Sequence, residues 1–103
     1  MLERDFQAGL IREIQDRLPE AIIMKTDANY IQGFPDLLIL FEDKWAALEC
    51  KRGHGSSRRP NQEYYVALLD QMSFAAFIHP DNKEIVLDAL QRSLEAGGSS
   101  FIS

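Results

Sequence analysis

Asp36 stands at the head of one apolar run, Gly33-Phe34-Pro35-Asp36-Leu37-Leu38-Ile39-Leu40-Phe41. Glu49 and Lys51 close the next, Trp45-Ala46-Ala47-Leu48-Glu49-Cys50-Lys51. Charge buried in apolar strands is costly, so these three residues call for a metal, a partner or a reaction that compensates them. Two carboxylates and a lysine are the minimum set for metal-assisted attack on a phosphodiester. Each acid can hold Mg²⁺ or Mn²⁺ through oxygen while the ion keeps some of its waters. The lysine can orient or deprotonate the attacking water and offset developing negative charge. Phosphodiester hydrolysis is the chemistry this set implies.

For the three to meet, the strands must present them on one face. Residues two apart in a strand share a face, so Glu49 and Lys51 project together with Trp45 and Ala47, while Leu48 and Cys50 face the other way. Asp36 joins them across a hairpin only if paired positions sum to an odd number. An even turn such as Asp43-Lys44 does this, setting Asp36 opposite Lys51 and Leu38 opposite Glu49. A three-residue turn at Glu42-Asp43-Lys44 sends Asp36 to the other face unless a bulge intervenes. The plain alternative is that Asp36 merely follows a turn proline and that Glu49 and Lys51 are the wet face of an edge strand.

Other residues could join the set. At 100° per residue Glu3 falls near the middle of the apolar arc of the first helix, with Gln7 close by, although an acid in a first turn also simply complements the helix dipole. Gln62, four residues before Val66 and seven before Leu69, starts the inward face of a later helix and could reach the lysine, a water or a phosphate. Cys50 faces away from Glu49, and His54 lies in a glycine loop, so a thiol nucleophile with its base is weakly signalled. Cys50 reads as a small buried hydrophobe and His54 as a phosphate contact.

The elements that position these residues follow from periodicity and breakers. Leu2, Phe6, Leu10, Ile11, Ile14 and Leu18 recur at helical spacing until Pro19. Ala21 to Met24 is a short strand, Asp36 to Phe41 a strand covered on both faces, and Trp45 to Lys51 its hairpin partner. Arg52 to Arg59 is a flexible Gly/Ser/Arg loop. Pro60-Asn61-Gln62 opens a helix to about Met72, Ser73 to His79 is a fourth strand, and Asp81 caps a last helix to about Glu95, before Gly97-Gly98. The expected fold class is α/β: a mixed central sheet flanked by helices, with the fourth strand placed parallel by a helical crossover and a C-terminal helix after it.

With 103 residues, of which 46% are hydrophobic, residues 1–103 are expected to form a single domain. No apolar run reaches membrane-spanning length, and Met1 to Asp5 lacks the order of a signal peptide, so a cytosolic protein is expected. One cysteine excludes an internal disulfide and a cysteine-based zinc site. A net charge of −5 argues against bulk coating of nucleic acid, yet four of the 11 basic residues, Lys51, Arg52, Arg58 and Arg59, fall in one acid-free stretch. That stretch is a local phosphate-sized patch.

Gly33-Phe34-Pro35-Asp36, Glu49-Cys50-Lys51 and the downstream Gln62 resemble the G-x-P-D, E-x-K and Q signature of VRR-NUC domains, within the PD-(D/E)XK nuclease superfamily. The resemblance covers most of the chain, from the first helix to the fourth strand. It implies an αβββαβ restriction-endonuclease-like core in which Asp36, Glu49 and the Cys50 main-chain carbonyl bind Mg²⁺ or Mn²⁺ and Lys51 serves the water. It further implies that Gln62 supports the site and that Glu3 adds a ligand. Stand-alone members of this size are associated with phages and with cutting of branched DNA, like Holliday-junction resolvases. A homodimer is expected on that basis, since symmetric cutting of a junction needs two sites. The sequence departs from the pattern at Phe77-Ile78-His79-Pro80, which lacks the basic ending of the fourth strand, and near Met72-Ser73, where a glycine is usual. The competing functions are a catalytically idle DNA-binding or partner-binding module, a nuclease without junction preference, and a sequence-specific restriction enzyme.

Overall fold

The computed structural model describes residues 2–96. The glycine pair expected to follow the last helix lies outside them. The elements are α1 (Glu3–Arg17), β1 (Ile22–Lys25), β2 (Leu37–Phe41), β3 (Lys44–Cys50), α2 (Pro60–Met72), β4 (Phe74–Ile78) and α3 (Lys83–Glu95). The sheet order is β1-β2-β3-β4, antiparallel except for the parallel β3–β4 pair. This is the mixed α/β arrangement expected from the order of the elements, with α2 as the crossover that sets β4 parallel to β3.

Each face of the sheet has its own core. On one, Phe6, Leu10 and Ile14 of α1 and Leu87, Leu90 and Leu94 of α3 pack over Leu37, Ile39, Ala46, Leu48, Cys50 and Ile78. Spacings of three and four residues gather each helix's apolar groups on one stripe, and the uninterrupted apolar runs of β2 and β3 serve both faces. Arg17 donates to Asp88 at 2.8 Å and to Glu84 at 3.1 Å, tying α1 to α3 at the rim. On the other face, Val66 and Leu69 of α2 sit on Ala47 and Ala75, whose small side chains let the helix come close, with Leu38, Trp45 and Phe77 at the margins. Tyr65 packs there too, whereas Tyr64, although it falls in the same helix, is exposed.

The hairpin register differs from the expected one. The loop is Glu42-Asp43, and Lys44 belongs to the ladder opposite Phe41, so Asp36 aligns with Glu49 rather than Lys51 and Leu38 with Ala47 rather than Glu49. Glu42 adopts the positive φ (56°) that two-residue hairpin loops demand of their first position. The pairing moved by two residues, so parity, and with it the shared face, is unchanged. At the start of α3 the N-cap is Asn82, not Asp81. The Asn82 side chain accepts from the His79 N–H at 2.8 Å and donates to the Phe77 carbonyl at 3.1 Å, so it clasps the end of β4. No described helix is long and apolar enough to cross a membrane.

Candidate active site

β3 lies between β2 and β4, which rules out an edge strand with a wet face. Glu49 is 3% exposed and Lys51 9%. Alternation places both on the α2 side of the sheet, and the register brings Asp36 across from Glu49. Continuing that register sets Pro35 opposite Cys50. Proline has no N–H to give the Cys50 carbonyl, and the Asp36 carboxylate Oδ2 accepts the Cys50 N–H at 2.8 Å. The ladder therefore ends in an acid pair beside a main-chain carbonyl.

Gln62, in the first turn of α2, organises the remaining groups. Its Nε2 donates to Glu49 Oε2 at 3.0 Å, and its Oε1 accepts from Lys51 Nζ at 2.8 Å and from the Arg59 N–H at 3.1 Å. Lys51 Nζ also donates to the Ser57 carbonyl at 2.8 Å and stands 3.9 Å from Glu49 Oε2. The amide thus separates lysine from carboxylate while bonding both, and keeps Lys51 from collapsing into a plain ion pair.

The site's electrostatics reflect this crowding. The Glu49 carboxyl is pushed up to about 8, first by burial and then by the charge of Asp36, against the pull of Lys51. Asp36 is also raised by burial, against the Cys50 N–H, a hydrogen bond from Glu49 and the charge of Lys51. A buried and a half-buried carboxylate that resist ionising together suit a cation between them. The Cys50 thiol lies in the opposite core and burial pushes it up to about 12, so it remains a neutral apolar side chain, as expected.

A cleft of about 540 Å³ opens over the pair, with Asp36 and Glu49 along one side and Pro60, Asn61 and Gln62 along another. The loop carrying Gly33 and Phe34 forms a further wall. Gly33 has a φ of 89°, and a Cβ there would lie 2.5 Å from that of Asn61, so glycine is required both by conformation and by close approach to α2.

The structure places the other candidates unequally. Glu3 is exposed in the first turn of α1, ahead of the buried stripe that begins at Phe6. It lines a second cleft with Lys51, Arg52 and Ser57. Its negative charge still contributes, in a minor way, to the raised Glu49 carboxyl. Among the described residues no three His, Cys, Asp or Glu side chains come together as a metal-holding group. The acid pair and the main-chain carbonyl are what the site offers an ion.

Arg52, His54, Arg58 and Arg59 are all exposed on the loop after β3. That loop, expected to be flexible, is tied down: Ser57 to Lys51, the Arg58 guanidinium 4.0 Å from the centre of the Phe77 ring, and the His54 ring 5.5 Å from that of His79. Sequence reasoning treated His79 as a strand end only. Alternation from Ala75 and Phe77 was the available signal that it shares the site's face. Comparison with protein-family models, curated proteins and solved structures gives no match for the chain.

Proposed function

We propose that the protein is a metal-dependent DNA endonuclease that hydrolyses phosphodiester bonds. The observation that carries this reading is the hydrogen-bonded relay from Glu49 through Gln62 to Lys51, with Asp36 aligned beside Glu49. Asp36, Glu49 and the Cys50 carbonyl would hold Mg²⁺ or Mn²⁺, which when bound polarises the phosphate and lowers the pKa of a bound water. The remaining work falls to the chain's own groups. Lys51, fixed by Gln62 and Ser57, orients the attacking water and offsets charge as it develops on the phosphate. The first turn of α2 begins with Pro60 and leaves the Asn61 and Gln62 N–H groups unused by the helix, at the mouth of the cleft, where they favour an anion. Gln62 couples the two halves, so that displacement of Glu49 also displaces Lys51.

The basic loop supplies backbone contacts through Arg52, His54, Arg58 and Arg59, with the cations spread over a few residues next to Lys51. Preference for branched DNA and action as a homodimer rest on the resemblance to VRR-NUC domains and belong to the proposal on that footing alone. The test is incubation of the purified protein with plasmid, forked and four-way DNA in Mg²⁺ or in EDTA, with light scattering for mass. Cleavage in Mg²⁺ only, faster on branched substrates by a dimer, is expected. Binding without cleavage under every metal condition would favour the idle binding module, and equal cutting of linear duplex by a monomer would remove the junction preference.

A further inference from the structure

Directly after β4 stands a histidine that the mechanism above does not use. His79 is 5% exposed, and its Nδ1 is buried without a hydrogen-bond partner. An imidazole nitrogen in that condition is expensive, and in a packed interior it calls for a function. The backbone around it is rigidly held. The His79 N–H donates to the Asn82 side chain, and the Asn82 N–H donates to the His79 carbonyl at 3.1 Å.

Its neighbours define what it can meet. The Lys51 N–H donates to the Ile78 carbonyl at 2.8 Å, extending the parallel register so that Lys51 and His79 stand side by side. Alternation along β4 puts His79 on the same face as Phe77, the face that carries Glu49 and Lys51. His54 lies edge-on to it, the rings inclined at 65°, and Arg58 rests on Phe77 two residues earlier.

Two ligand chemistries suit a pair of imidazoles: a transition-metal ion or a phosphate oxygen. Charge decides between them. A divalent cation would be held by two side chains only, since among the described residues no third His, Cys, Asp or Glu completes the group. It would also sit beside Lys51 and Arg58. The same positive charges attract a phosphate, to which an imidazole N–H can donate.

We propose that His79 holds a phosphodiester oxygen of the bound strand, one or two nucleotides along from the phosphate at Asp36 and Glu49. This rests on the nuclease reading. The midpoint of β2 and β3 lies one and a half strand spacings from β4, and His79 stands two residues further along the strands than Glu49, so the two points are about 10 Å apart, a distance that one to two nucleotide steps cover. The His54 ring is the group the phosphate displaces.

The test uses the full chain with a forked oligonucleotide carrying one uncharged methylphosphonate at each phosphate in turn, with binding followed by fluorescence anisotropy in Ca²⁺. His79→Ala is expected to bind about tenfold more weakly and to lose its sensitivity to the methylphosphonate at one position only. Additive losses at every position would overturn the assignment. Should His79→Ala fail to fold, ¹⁵N spectra of the wild-type imidazoles keep the question open to refutation. The His79 signals are expected to shift on adding the fork and to stay in place with inorganic phosphate or Zn²⁺. An equal response to inorganic phosphate, or a response to Zn²⁺ alone, would refute a strand contact. Absence of any DNA binding would instead bring down the nuclease reading itself, whereas binding with additive losses would leave that reading standing.

Discussion

Replacing Glu49 by glutamine should make the metal-free protein more stable and abolish the proposed cleavage. Glu49 is buried, bonded to Gln62 and aligned with Asp36, and its carboxyl is raised from 4.5 to about 8. A carboxyl raised by folding stabilises the fold fully below 4.5, where both states carry the proton. Between 4.5 and about 8 the unfolded chain loses the proton while the folded chain keeps it, so stability falls as pH rises, and above 8 the loss is complete. At about 1.4 kcal/mol per pH unit across that window the effect is bounded at roughly 5 kcal/mol. Relaxation of Gln62 and Lys51 around the charge should reduce it to about 2–3 kcal/mol. Glutamine keeps the shape and can still accept from Gln62 Nε2 without carrying the charge. In EDTA at pH 8.5 Glu49→Gln should therefore melt about 10–15 °C above wild type, and at pH 5 within a few degrees of it. Mg²⁺ should raise the wild-type melting temperature at pH 8.5 and leave the variant unchanged. Thermal melts at the two pH values, with and without Mg²⁺, read all three effects. A variant less stable than wild type at pH 8.5, or a difference independent of pH, would refute the account of a strained acid pair awaiting a cation.

Asp36→Ala and Lys51→Ala should each lower cleavage about a thousandfold or more, with DNA binding in Ca²⁺ retained; residual activity near wild type would exclude the roles given to them. Replacing Arg52, Arg58 and Arg59 together by alanine should flatten the dependence of binding on salt by about two to three phosphate contacts, measured by anisotropy across a salt series. Gly33→Ala should cost about 2–4 kcal/mol in urea unfolding, because alanine at a φ of 89° is strained and its Cβ meets Asn61. Glu42→Gly, at the positive-φ position of the β2–β3 loop, should stabilise the fold by about 1 kcal/mol in the same assay.

Much of the site was legible because its signals are local. Period-two alternation put Glu49 and Lys51 on one face and turned Cys50 away, and parity across any even turn brought Asp36 to the same side. The spacing of Gln62 from Val66 and Leu69 put it on the inward side of α2. The apolar run through β2 announced cover on both faces, and a helix between the last two strands announced their parallel pairing. What local pattern could not supply was anything set by contacts distant in the chain. The register was decided by where the hairpin tolerates a positive φ, which moved Asp36 from Lys51 to Glu49. The Gln62 bonds to Glu49 and Lys51 depend on how closely α2 approaches β3 over Ala47. Glu3 has the periodicity of a buried residue and the exposure of a surface one, because only tertiary packing determines where along a helix the buried stripe begins. His79 is the same lesson in reverse: alternation from Ala75 and Phe77 gives its face, but it comes beside Lys51 only because a parallel ladder pairs residues that a loop and a whole helix separate.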